Sequence, residues 1–195
     1  MYELPTTVTV GDNVYNITNK ADYRMILDCF SALEDNELDD QSKVICALII
    51  FYEDINSVED IYQLFGDNLQ EAIEKMYLFF SCNQESIGMQ VHNKLIDWEM
   101  DAQIISAGVN NVAHTEIRAL PYLHWWTFLG YFTSIGESLL STIVNIRDKI
   151  VKGKKLEKHE KEFKRDNPEY FNWRKPTRQQ LQEDEEIRKL WNSSS

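Results

Sequence analysis

Tyr23-Arg24-Met25-Ile26-Leu27-Asp28-Cys29-Phe30-Ser31-Ala32-Leu33 sets the fold class. Tyr23, Ile26, Leu27, Phe30 and Leu33 recur at the 3.6-residue period of one helix face, and Asn19 or Asp22 stands ready as an N-cap. The same period repeats downstream. Val44, Ile45, Leu48, Ile49 and Tyr52 form a second apolar face after the acidic stretch 34–40, which favours the positive end of the helix dipole. Ser57, with Asp60 three residues on, makes a near capping box for a third helix carrying Val58, Ile61, Tyr62 and Phe65 and ending at Gly66. Leu69, Ile73, Met76, Tyr77 and Phe80 give a fourth. A fifth pattern starts near Lys94 with Ile96, Met100, Ile104 and Ile105 and runs toward Ile117, and Leu120-Pro121 breaks or restarts the chain. Tyr122 to Tyr131 is the most apolar segment, and Leu139, Ile143, Ile146 and Ile150 follow at helical spacing after a turn at 135–138.

Upstream, Thr6 to Thr18 reads as a short β-hairpin. Val8 and Val10 alternate before Gly11-Asp12-Asn13, and Val14 alternates less cleanly with Ile17 after it. A lone hairpin is marginal in water, so it must lie on something. After Gly153 the chain is mostly charged, Asn167-Pro168 interrupts it, and 178–191 reads as a final exposed helix with Leu181, Ile187, Leu190 and Trp191. The expectation is a mainly α protein of about six or seven short helices with an N-terminal β-hairpin and an extended, charged C-terminal tail. Its divisions are the hairpin at 1–18, a helical domain at 19–150 and a charged extension at 151–195.

Composition agrees. At 195 residues the chain can bury roughly 70% of its unfolded surface. Seven Gly and four Pro are too few for an all-β fold with many turns. The net charge of −12 is split. Residues 1–146 hold 6 Lys and Arg against 22 Asp and Glu, a net of −16, whereas 147–178 hold 12 against 6, a net of +6. An acidic body repels nucleic acid and anionic membrane. The basic stretch suits nucleic acid, an acidic partner or the body itself, but it lacks the interleaved aromatics of a nucleic-acid patch. Cys29, Cys46 and Cys82 sit in apolar runs without ligand spacing and read as free core cysteines of a reducing compartment. No signal peptide is evident at the start, and the longest apolar run, Val44 to Tyr52, is too short to span a bilayer.

Catalytic chemistry finds no foothold. There is no Gly-x-Gly-x-x-Gly, phosphate loop or Gly-x-Ser-x-Gly elbow. His92, His114, His124 and His159 show no metal-ligand spacing, so no catalytic residue, metal or cofactor is expected and the protein reads as a non-enzyme. Asp97 and Asp101 share a face if helical. A solvated helix start beside Trp98 is preferred there over a cation or acid/base site. His124-Trp125-Trp126 stands apart: adjacent Trp residues on a helix diverge by about 100°, so both are buried only where two partners meet the helix. A core or partner-facing helix is preferred to a ligand-stacking box, and nothing nearby supplies the nucleophile a catalytic His124 would serve. The run 147–158 reads as a docking surface or a solvated helix end.

Several pieces together resemble the phage gene-product-fifteen family, small proteins of siphophages and prophages of Gram-positive bacteria. They are His124-Trp125-Trp126-Thr127-Phe128, Ile146-Arg147-Asp148-Lys149 and Lys152-Gly153-Lys154-Lys155-Leu156-Glu157-Lys158-His159-Glu160. Leu4-Pro5-Thr6, Ala32-Leu33-Glu34-Asp35 and Asp97-Trp98-Glu99-Met100-Asp101-Ala102 fit the same layout. The resemblance covers roughly residues 4–168. Residues 108–121 carry none of the matched motifs, the tail 169–195 reads as specific to this chain or a subgroup, and no function is carried onto either stretch. The resemblance implies a tail assembly chaperone, made alone or as a frameshift extension. It would act in the host cytoplasm, bind the tape measure protein, assist polymerisation of the tail-tube protein and be absent from the finished virion. The partner-binding residues expected on this reading are His124, Trp125, Trp126, Phe128, Arg147, Lys149, Lys152, Lys154, Lys155 and Lys158, with whichever Trp is exposed touching the client. Self-association is open, nucleic acid is disfavoured, and a minor structural tail component is the alternative.

Overall fold

A computed structural model describes residues 3–83 and 95–173. The fold is mainly α, and the chain divides into two units: one from residues up to 93 together with 102–136, the other from 94–101 together with 137 onward. The expected helix at 178–191 lies outside the described residues.

The first unit opens with strands β1 (Thr7–Val10) and β2 (Asn13–Asn16), antiparallel, with Val10 opposite Asn13 and Val8 opposite Tyr15. The two-residue loop places Gly11 at φ +57°, and a Cβ there would meet the Asn68 side chain at 2.8 Å. This register corrects one expectation. Val10, Tyr15 and Ile17 point inward, while Val14, opposite Thr9, keeps 67% of its surface exposed. A strand has period two, so the inward set is fixed once Val10 is buried. The hairpin lies on its own unit. Tyr15 Oη donates to the Leu64 carbonyl at 2.9 Å, its ring meets Tyr52 and Phe65 edge-on, and Gly11 N donates to Glu71 at 2.9 Å.

Asn19, Lys20 and Ala21 then run left-handed (φ 49°, 53° and 61°), a conformation that is unfavourable for non-glycine residues and persists where neighbours fix it. Tyr122 Oη fixes it by donating to the Lys20 carbonyl at 2.8 Å. Asp22 caps α1 (Tyr23–Glu34), accepting from Arg24 N at 3.0 Å. Asp39 caps α2 (Asp40–Phe51) by accepting from Ser42 N at 3.0 Å. Ser57 caps α3 (Val58–Phe65), and Asp60 reaches back to Asn56 N rather than to Ser57 N. Gly66 at φ +50° closes α3, and α4 (Leu69–Phe80) follows a single 3-10 turn. The first unit is completed by α5 (Ala102–Ala113), a 3-10 turn at Ile117–Ala119 and α6 (Trp125–Thr133). Gly108 has a packing reason inside α5, because a Cβ would come within 2.8 Å of Ile135 Cδ1.

The expected fifth helix starts later than its apolar period suggested. Residues 97–101 form a turn held by Asp97: its Oδ1 accepts from Met100 N at 2.9 Å, and its carbonyl accepts from Asp101 N at 2.8 Å. This turn belongs to the second unit, with α7 (Leu139–Val151), α8 (Lys158–Asp166) and a 3-10 turn at Pro168–Phe171. Ser138 and Ser141 form a reciprocal capping box at the start of α7. Ile146, Phe171 and Trp173 form its core, flanked by Met100, Ile150, Val151, Leu156, Phe163 and Tyr170. Within the region read as a charged extension, residues 158–171 are therefore helix and turn built onto a small apolar core.

Candidate partner-binding surface

The expected surface separates into groups that pack and groups that face solvent. His124 caps α6. Its Nδ1 accepts from Trp126 N at 3.0 Å, which requires an unprotonated Nδ1, so the ring proton sits on Nε2 and is donated to the Pro5 carbonyl at 2.9 Å. Its ring is 1% exposed, and burial lowers its pKa below the ordinary histidine value, opposed by the Pro5 carbonyl. The adjacent Leu123 is fixed to α1, donating from its N to Asp22 Oδ2 at 3.0 Å and accepting from Tyr23 N at 2.9 Å.

Trp125 is fully buried, with its indole N–H on the Phe80 carbonyl at 2.9 Å and its ring against Phe30 and Phe128. Phe128 is buried and stacks on Tyr23 at 4.6 Å. Neither faces solvent. Trp126 is half-buried. Its indole N–H donates to the Phe79 carbonyl at 3.0 Å and its ring packs at 5.4 Å on Phe79. Phe79 and Phe80 end α4, so the two divergent tryptophans clamp one helix C-terminus by carbonyls of its last turn, of which the Phe79 carbonyl also accepts from Cys82 N at 3.0 Å.

Arg147 departs most from expectation. Its side chain is fully buried. Its guanidinium pairs with both carboxylate oxygens of Asp101, donates to the Leu95 and Tyr170 carbonyls and lies 4.9 Å over the Trp173 ring. Arg147 holds the second unit together and cannot dock a partner; Asp101, read from sequence as solvated, is its buried counter-ion.

The lysines divide too. Lys149 bonds Glu160 at 2.6 Å with Glu157 at 3.7 Å, and Glu160 holds its pKa above the ordinary lysine value. Lys152 pairs with Asp148 one turn back at 2.6 Å. Lys154, Lys155 and Lys158 are exposed and carry no ion pair among the described residues. The sequence reading missed Lys161, exposed three residues after Lys158 on the same side of α8. The signal was there in the i, i+3 spacing but required α8 to be recognised as a helix. Of the ten expected residues, Lys152, Lys154, Lys155 and Lys158 face solvent, Lys152 within its pair with Asp148, and Trp126 is partly exposed. Among the described residues no three His, Cys, Asp or Glu gather as a metal site, and no helix is long and apolar enough to cross a membrane.

The family model described as Bacteriophage Gp15 protein matches residues 1–172. The chain belongs to that family. No curated protein and no solved structure matches it. The Gp15 match takes in the whole motif set from Leu4-Pro5 to the basic run, spans the stretch 108–121 and stops before residues 173–195. In this Gp15-family chain the His-Trp-Trp motif and the Ile-Arg pair are the points where each unit is fastened.

Proposed function

We propose that this Gp15-family protein is a tail assembly chaperone. It binds the tape measure protein and assists assembly of the tail tube by protein–protein contacts, without catalysis, in the host cytoplasm. The observation that carries the reading is the family match over residues 1–172, which makes the chain a bacteriophage protein. The charge layout supports it. A strongly acidic exterior keeps an assembly factor soluble, and the exposed lysines at 154, 155 and 158 supply a second, basic surface for transient, salt-sensitive contacts.

The competing reading is a minor structural tail component, and particle composition separates the two. A chaperone is found with the tape measure protein in cells that are assembling tails and is missing from purified particles. Recovery at fixed stoichiometry from purified particles replaces the chaperone reading with the structural one.

A further inference from the structure

The first unit carries an apolar groove of about 220 Å³ between α2, α3 and α4, floored by Val44, Ile45, Ile61, Tyr62, Leu69 and Ile73. None of the residues expected to bind partners touches it. On α2 the lining residues 41, 44, 45 and 48 lie along one face, a span of roughly 10 Å, enough for about two turns of a second helix laid alongside. Tyr62, in its wall, is 54% exposed. Tyrosine is among the residue types enriched in binding hot spots.

The helices that form this groove are acidic. Residues 40–80, from the start of α2 to the end of α4, hold eight Asp and Glu and two Lys. Both lysines face carboxylates of their own helix, Lys43 with Asp40 at 3.5 Å and Lys75 with Glu71 at 3.8 Å. Glu59 precedes Tyr62 by three residues on α3, and Glu74 directly follows Ile73 on α4; both are exposed. An apolar floor among helices whose exposed charges are mostly carboxylates is complementary to one kind of occupant. We infer that the groove takes an amphipathic helix of another protein whose apolar stripe is flanked by Lys and Arg. A second copy fits less well. The described basic helix of this chain, α8, turns its one large apolar residue, Phe163, into its own unit's core and has no stripe to offer. The inference deepens the assembly reading and rests on it for the natural occupant.

The test uses the full chain and a labelled peptide of about fourteen residues with Leu at i, i+3, i+4 and i+7 and Lys at the flanks. Saturable binding is expected, and it should weaken about tenfold when the Leu residues become Ser at unchanged charge or when the Lys residues become Glu. Tyr62→Ala and the pair Glu59→Lys, Glu74→Lys should each weaken binding about tenfold. These side chains are exposed, so unchanged helicity and melting temperature verify folding. Equal binding of the Leu-free peptide, or wild-type binding by both folded variants, overturns the inference. So does a dimer in sizing that Tyr62→Ala dissolves, because the groove would then belong to a second copy. Co-expression with the tape measure protein separates the two readings. If wild type and both variants solubilise that protein equally, the groove fails and the assembly reading stands. If wild type does not solubilise it while the peptide still maps to the groove, the assembly reading fails and the groove remains a site for a different basic helix.

Discussion

Trp125 and Trp126 are neighbours in sequence with separate energetic roles. Trp125 is enclosed by Phe30, Phe80 and Phe128, so Trp125→Ala leaves a large cavity and an unpaired Phe80 carbonyl; a loss of about 3–5 kcal/mol is expected in denaturant titration. Trp126→Phe keeps most of the packing on Phe79 and gives up one hydrogen bond, about 1 kcal/mol. The sequence showed that two partners must meet this helix. It did not show which indole is enclosed, because both bond to carbonyls more than forty residues away. Arg147 was misread for a similar reason. Counted with its basic neighbours it belongs to a charged run, yet it sits four residues after Ile143 and next to Ile146, both buried. A cation on the edge of an apolar stripe was the available signal, and only the distant Asp101 decides its role. Arg147→Ala strands a buried carboxylate and should cost about 3–5 kcal/mol, whereas Arg147→Met together with Asp101→Leu should cost far less.

His124 gives a pH-dependent expectation at the same scale. Its native pKa lies below the unfolded value of about 6.5, so the unfolded state binds the extra proton first. Its contribution is complete above that value and is lost as pH falls toward the native pKa. His124→Asn, which retains an N-cap oxygen, should lose less stability than wild type between about pH 7.5 and about pH 5.5 in thermal melts. Equal losses would place the proton uptake elsewhere. Glu116, held down to about 2 by hydrogen bonds from Arg118, stays ionised throughout this window.

Among the elements, those with strong apolar periods were legible: α1, α2, α3, α4 and α7 appear where their spacing placed them. The hairpin was legible in place but not in facing, since Val14 and Tyr15 are both good strand residues and only the two-residue loop selects Tyr15. The helix α8 was not legible. Its nine residues, Lys158–Asp166, contain a single large apolar side chain, so no period exists to read. It forms because Glu160 returns to Glu157 N at 2.8 Å and also takes Lys149, and because Phe163 reaches Phe171 at 6.2 Å. The start of α7 depends on its serine pair in the same way. Ser138→Ala removes the oxygen that caps Ser141 N and should lower stability by about 1 kcal/mol in chemical denaturation, while Ser138→Asp should be close to neutral.

At the scale of the molecule, charge is the property most directly written in the sequence: a net of −16 over residues 1–146 and +6 over 147–178. Folding leaves that asymmetry on the surface but trims the basic side, where Arg147, Lys149 and Lys152 are neutralised by partners of their own unit. Of the residues expected to bind partners, Lys154, Lys155 and Lys158 are exposed and carry no ion pair among the described residues, and their combined change to Glu should weaken client capture and reduce its salt sensitivity without changing the melting temperature. The acidic groove was invisible to sequence reading because its floor comes from three helices, each of which reads as an ordinary amphipathic face. The most direct test of the assembly role is co-expression of the full chain with the tape measure protein, followed by tagged capture and sizing. A soluble complex with several copies of this chain on each tape measure molecule is the expected result. An insoluble tape measure protein, with this chain eluting alone, contradicts the account.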